Sequence, residues 1–131
     1  MYKNKFKSYL KAGLLAALII GAIVNIIFIL FGILVGHDIG LIGQNRDTLY
    51  IVFITFATVV AVFVGTIIFY ILQKFTKKPV RWFTVIVLMG FLFNTYTAEA
   101  DLADAYKITA HVMHVFVSGF ALYLIPKFVK K

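Results

Sequence analysis

The chain has 131 residues, of which 63% are hydrophobic, and it carries a formal net charge of +8 and no cysteine. A water-soluble domain of this size cannot bury that much apolar surface, because a small domain leaves about a third or more of its unfolded-chain surface exposed, so the sequence predicts one integral membrane domain over residues 1–131. The missing cysteine excludes disulfides, thiolate metal sites and thiol nucleophiles, and the basic residues flank apolar segments, which indicates membrane topology and no nucleic-acid partner.

Four apolar spans predict four transmembrane helices, at about residues 12–36, 49–72, 82–98 and 105–126. A bilayer core needs roughly 20 helical residues, and the runs lack the alternating pattern of barrel strands. The first span follows a basic segment, but its apolar stretch of about 25 residues exceeds the 7–15 of a signal-peptide core, so we expect a retained helix. The third span becomes polar from Asn94, and we expect that end to lie against protein or water. The predicted fold class is all-α, a four-transmembrane-helix bundle.

Two stripes of small residues, spaced four apart, predict the contact between the first two helices. They are Gly13, Ala17 and Gly21 on the first helix and Ala57, Ala61 and Gly65 on the second. Helix association in lipid gains little from hydrophobic burial, and small residues matter because they let two backbones approach closely. We therefore expect these two stripes to face each other.

The distribution of lysine and arginine predicts the orientation. Four basic residues precede the first helix, four lie between the second and third, and three follow the fourth, which leaves only Arg46 and Lys107 for the other side. Loops rich in Lys and Arg stay cytoplasmic, so both termini are predicted to be cytoplasmic in a multi-pass protein of the bacterial inner membrane. All five acidic residues then fall outside.

Each predicted helix places one polar side chain at a similar depth. These side chains are Asn25, Thr58, Asn94 and His114. Counting about 1.5 Å per residue from the nearest inner basic residue puts all of them roughly 20–24 Å from that residue. A polar group left unpaired in hydrocarbon costs on the order of 1–3 kcal/mol, so we expect them to converge on one interior pocket. His111 lies one turn further out, at the expected mouth, and Ser118 continues the His114 face inward.

Acidic and histidine side chains near the outer ends of the helices raise the possibility of a metal site. The residues concerned are Glu99, Asp101, Asp104, His111 and His114, with His37 and Asp38 from the first outer loop. Asp104, His111 and His114 are weak candidates only, because a helical histidine pair that binds metal is usually spaced i, i+4 with a nearby Glu. Haem ligation by two histidines needs a second helix that contributes one, and no other span contains histidine. We therefore expect no metal or cofactor, and solvated carboxylates.

The functional alternatives are binding, transport and catalysis. The sequence contains no GxSxG motif, paired intramembrane carboxylates or phosphate loop, so no enzyme is predicted. Small multidrug exporters depend on a carboxylate in their first helix, where this chain has only Asn25, although His114 could carry a proton. We expect a binding or assembly bundle with a polar intramembrane pocket open to the outside. The alternative is a small proton- or ion-coupled transporter that acts as an oligomer; expected partners are membrane lipids and a second copy or another membrane protein.

Three segments resemble one family of small four-helix bacterial membrane proteins, the domain of unknown function six-zero-six-nine (DUF6069). The segments are KAGLLAALIIGAIVNIIF (11–28), FTKKPVRWF (75–83) and MHVFVSGFALYLIPKF (113–128). Asn25, Pro79, His114 and Pro126 carry the similarity, whereas His111 and the dense acidic segment are less typical of the family. The resemblance implies the four-helix fold and brings no activity with it.

Overall fold

The computed structural model describes residues 6–35, 45–101 and 104–130, with the side chains of 6–34, 52–100 and 107–129. Within these ranges the chain forms four α-helices: α1 (Phe6–Val35), α2 (Asn45–Phe75), α3 (Pro79–Asp101) and α4 (Asp104–Lys130). Each helix contains a stretch that is long and apolar enough to cross a membrane. The predicted all-α, four-helix transmembrane class is therefore confirmed.

The outer surface of the bundle is apolar, as a lipid-facing surface must be. Large hydrophobic side chains on every helix are more than half exposed, among them Leu18, Phe56, Leu92 and Val115. A water-soluble monomer rarely exposes contiguous apolar patches of that extent. The chain is thus a multi-pass membrane protein whose exposed faces suit hydrocarbon.

The helices extend beyond the ranges that hydropathy predicts. Aromatic contacts pack the basic start of α1 against α2: Tyr9 is buried and its ring lies 4.8 Å from that of Tyr70, while the Phe6 ring lies 5.0 Å from that of Tyr70. The last helix continues through Pro126 to Lys130. Hydropathy locates the part of a helix that suits hydrocarbon, whereas packing between helices also stabilises turns beyond that part.

A short turn joins α2 to α3. The Thr76 backbone N–H donates to the Leu72 carbonyl at 2.9 Å, and the Lys78 N–H donates to Thr76 Oγ1 at 3.1 Å. Pro79 is the first residue of α3, a position where its missing N–H costs no hydrogen bond and its fixed φ suits a helix. Pro79 thus starts the third helix directly after the short connection that follows Phe75.

The core of the bundle lies along α1, which packs between α2 and α4. The third helix packs against α4 and, less extensively, against α2; α1 and α3 do not touch within the described residues. After the buried Tyr9, the buried side chains of α1 are first small, at Ala12 and Ala16, and then larger, at Ile20, Val24 and Phe28. One end of the bundle holds the α2–α3 turn, the start of α1 and the end of α4, and we call it the turn end.

The prediction that the two small-residue stripes face each other is confirmed at Gly13 of α1 and is wrong at Gly65 of α2. A Cβ added to Gly13 would lie 2.8 Å from Oγ1 of Thr66 on α2, so this glycine does allow close approach. In contrast, a Cβ on Gly65 would meet Ile125 of α4 at 3.6 Å and Phe83 of α3 at 3.8 Å. Regular spacing shows that residues share a helix face, but it does not show which neighbour that face meets.

Candidate functional site

A cavity of about 560 Å³ lies in the half of the bundle away from the turn end. At the turn end α2 and α3 are held together by Phe69 and Phe83, whose ring centroids are 5.1 Å apart. Beyond that contact the cavity separates the two helices, and α4 closes it from behind with Met113 and His114. From α1, Val24 also lines it.

The wall formed by α2 includes the small-residue stripe. Ala57 and Ala61 are exposed and line the cavity, and Phe53 at its edge is 68% exposed. From α3, Asn94 is exposed on the facing rim. Because the exposed lining residues belong to α2 and α3, the cavity opens sideways between these two helices, toward the position of the surrounding lipid.

Three of the predicted site residues line this cavity, each from a different helix: Thr58, Asn94 and His114. Thr58 is only 7% exposed, whereas His114 is half-buried. The Nδ1 atom of His114 is buried and makes no hydrogen bond within the described part of the chain. The neighbouring hydroxyl of Thr97 is already engaged, because it donates to the backbone carbonyl of Asn94 at 3.0 Å.

Asn25 and Ser118 do not line the cavity. The Nδ2 group of Asn25 donates two hydrogen bonds of 2.8 Å, one to the Gly21 carbonyl and one to Thr55 Oγ1 of α2. The α1 residue that faces the cavity is its neighbour Val24. Adjacent helical residues point in directions about 100° apart, which is why a depth count alone does not identify the facing side chain. Ser118 is half-buried on α4, outside the lining.

His111 belongs to an ion-pair cluster between α3 and α4, at the end opposite the turn. Its Nε2 lies 2.5 Å from Oε1 of Glu99, and Nζ of Lys107 lies 3.7 Å from Oε2 of the same carboxylate. The Glu99 side chain is 55% exposed, so it remains in contact with the surroundings while it pairs with two partners. Glu99 is thus exposed, as expected for the acidic side chains, and in addition it pairs with Lys107 and His111.

The weak metal candidates are not brought together by the described residues. His111 is engaged with Glu99, and His114 lines the cavity. The side chains of Asp104, Asp101, His37 and Asp38 lie outside the described residues. Among the described side chains, no group of three or more His, Asp or Glu could hold a metal ion.

Sequence reasoning missed two parts of this site. The pairing of Glu99 was not predicted, although Lys107 and His111 follow it closely in sequence on the next helix, which permits an interhelical pair. Ala57 and Ala61 were assigned to a helix contact, whereas they form one wall of the cavity. A small-residue stripe on a helix can indicate space for a ligand as readily as space for another helix.

Comparison with known proteins identifies one family. The profile described as "Family of unknown function (DUF6069)" matches residues 6–130, which is nearly the whole chain. No curated protein and no solved structure matches.

Proposed function

Because this chain belongs to the DUF6069 family, whose function is unknown, we propose a function from its geometry: it binds an amphiphilic molecule in the cavity between α2, α3 and α4. The observation that carries this proposal is that Thr58, Asn94 and His114, from three helices, line a single cavity. A volume of about 560 Å³ is within the range of roughly 300–1,000 Å³ that small-molecule sites occupy. Polar side chains within membrane spans are costly and usually serve a function.

Binding fits the cavity better than catalysis does. Among the described side chains that line it, His114 is the single titratable group, and no second acid or base accompanies it. General acid–base or nucleophilic catalysis needs a partner group within hydrogen-bonding reach of the reacting atoms. The rest of the lining is apolar or neutral, which suits a bound hydrocarbon and one polar group.

We further propose that the turn end is cytoplasmic, so that both termini are inside and the cavity lies toward the outside. Nearly all described basic side chains belong to that end: Lys7, Lys11, Lys74, Lys77, Lys78, Arg81 and Lys127. Lys107 is the one described basic side chain at the opposite end, where it pairs with Glu99. This asymmetry is the pattern that the positive-inside rule associates with cytoplasmic loops.

The alternative function is proton-coupled transport by an oligomer. Two observations support it: a histidine, the residue type most often used to carry protons, lies on the cavity wall as His114, and the His111–Glu99 pair lies toward the same end. Reconstituted protein would then move protons together with a substrate, and His114→Leu would abolish the proton flux. A pure binding protein shows no flux in either form.

The cavity itself is tested by filling it. Ala61 is exposed on the cavity wall, so Ala61→Phe occupies the space without crowding the core, whereas Ala22 is exposed on α1 outside the cavity. Native mass spectrometry from mild detergent should show a bound amphiphile on the wild type and on the matched control Ala22→Phe, and bare protein for Ala61→Phe. Unchanged thermal unfolding of Ala61→Phe confirms that the variant folds. A wild type without adduct, or equal adducts on both variants, contradicts the proposal.

A further inference from the structure

The polar groups on the cavity wall share one property, which is that they are uncharged or, in the case of histidine, neutral above its ordinary pKa. They are Thr58, Asn94, Thr97 and His114. No Asp, Glu, Lys or Arg side chain lines the cavity in the described part of the chain. We propose, as a deepening of the proposed function, that the ligand is a neutral amphiphile: a hydrocarbon chain with a hydroxyl or carbonyl group, rather than a phospholipid or a fatty-acid anion.

An anionic head would have no counter-charge here. At the cavity end of the bundle the described cation is Lys107, and its ammonium group already lies 3.7 Å from a Glu99 carboxylate oxygen. That carboxylate also pairs with His111. A charge moved from water into an apolar site is strongly disfavoured unless it is paired and hydrogen-bonded. The described side chains at this end thus offer an anionic head no unpaired cation.

A neutral polar head, in contrast, can form a hydrogen bond with a lining side chain. The Nδ1 atom of His114 is buried and unpaired within the described residues. A neutral imidazole has one nitrogen that donates and one that accepts. In either tautomer Nδ1 can form a hydrogen bond with a ligand hydroxyl. The tautomer that carries its hydrogen on Nδ1 can also donate to a ligand carbonyl. The Thr97 hydroxyl donates to a backbone carbonyl at 3.0 Å and is not free to donate to the ligand. Among the described lining residues, His114 is the one with a buried polar atom that lacks a partner, so it is the residue that would bind the polar group.

The sideways opening provides room for the hydrocarbon chain. Phe53 on α2 is 68% exposed and Phe93 on α3, beside the rim residue Asn94, is 66% exposed. A molecule that enters between these helices can leave its tail among lipid chains while its head reaches His114. This route needs no opening toward water, which agrees with a ligand that partitions into the bilayer.

Two photoactivatable probes of equal chain length test the inference: a long-chain alcohol and the corresponding fatty acid, each with a diazirine on the chain, applied at a pH where the acid is ionised. The protein is the full chain in lipid nanodiscs, and labelled peptides are identified by mass spectrometry. We expect the alcohol to label lining peptides of α2, α3 and α4 at least about tenfold more than the acid, with competition by unlabelled alcohol.

Comparing His114→Leu with Ser118→Ala distinguishes a loss of the binding side chain from a general disturbance of α4. Ser118 is the matched control because it lies one turn from His114 and outside the lining. His114→Leu should reduce alcohol labelling several-fold, His114→Asn should restore part of it by supplying a hydrogen-bonding amide, and Ser118→Ala should label like the wild type. Equal cavity labelling by alcohol and acid overturns the neutral-head inference while cavity binding stands. An absence of cavity labelling by both probes overturns the proposed function as well.

Discussion

Asn25 links α1 to α2 through one side-chain hydrogen bond within the apolar span. Its Nδ2 donates to Thr55 Oγ1 and to the Gly21 carbonyl, each at 2.8 Å, while its Oδ1 is buried and unpaired among the described residues. Asn25→Leu loses the interhelical bond but also removes the unpaired oxygen, so we expect a loss of only about 0.5–1.5 kcal/mol in unfolding free energy, in the range of measured intramembrane bonds. A double-mutant cycle with Thr55→Val in detergent-induced unfolding checks this value, and strictly additive losses would show that the bond contributes nothing.

Gly13 and Gly21 occupy the same face of α1 but differ in the space around them. A Cβ on Gly13 would lie 2.8 Å from Thr66 Oγ1 and 3.2 Å from Thr66 Cβ, and that threonine is fully buried. A Cβ on Gly21 meets nothing within 4 Å. Because β-branched Thr66 has little rotamer freedom, Gly13→Ala should separate the helices and cost about 1–3 kcal/mol.

Gly21→Ala is the matched control and should be neutral or slightly stabilising, since alanine favours helix. Thermal unfolding of both variants in the same detergent measures the difference. Adding Thr66→Ala to the Gly13 variant should recover part of the loss, because the substitution removes Oγ1. Equal unfolding temperatures for the two glycine variants would contradict close packing at Gly13.

The ends of α3 and α4 that lie opposite the turn end are joined by the pairing of Glu99 with His111 and Lys107. Glu99→Gln removes the charge while it keeps the shape of the side chain, so these helix ends should open locally more often. Hydrogen exchange of amides in residues 95–115 should accelerate, while amides near the turn end stay protected. Lys107→Met, which removes the longer 3.7 Å contact, should have the smaller effect. Unchanged exchange in the glutamine variant would show that the pair does not hold the helices together.

At the scale of helices, the sequence predicts the position of each span from its hydropathy and the depth of each side chain from the helical rise per residue. It does not predict how each helix is rotated about its axis, and therefore which side chains face the cavity. The four spans were located because hydrocarbon thickness fixes their length and composition. The depth count placed Thr58, Asn94 and His114 at one level, and all three line one cavity. The same count could not tell that α1 presents Val24 there and turns Asn25 toward Thr55.

A single sequence also could not predict which face of one helix packs against which other helix. The α2 stripe that includes Ala57 and Ala61 was expected against α1, but α2 meets that helix through Thr55 and Thr66. Those polar residues pack well in a helix interface because each hydroxyl is satisfied, Thr66 by the Val62 carbonyl at 2.8 Å. A threonine whose hydroxyl bonds its own backbone is small and effectively apolar, so its type alone does not distinguish an interface from a pocket.

For the whole molecule, the fold places both described chain ends at the turn end, whatever the orientation in the membrane. Phe6 of α1 lies 5.0 Å from Tyr70 of α2, and Ile125 of α4 would lie 3.6 Å from a Cβ on Gly65. Charge must then decide which face of the membrane that end occupies. Holding the cluster of lysines on the translocated side would require moving each of them across the hydrocarbon during insertion, which the positive-inside rule disfavours.

A cysteine-free chain makes this orientation directly measurable, since any introduced cysteine is unique. Lys77 in the α2–α3 turn and Ala100 near the opposite end of α3 are both exposed. A membrane-impermeant maleimide should label Ala100→Cys in intact cells and Lys77→Cys only after lysis, with the unmodified chain as the blank. Labelling of Lys77→Cys in intact cells would place the basic end outside. The cavity would then open toward the inner leaflet, so this measurement decides from which leaflet the ligand enters.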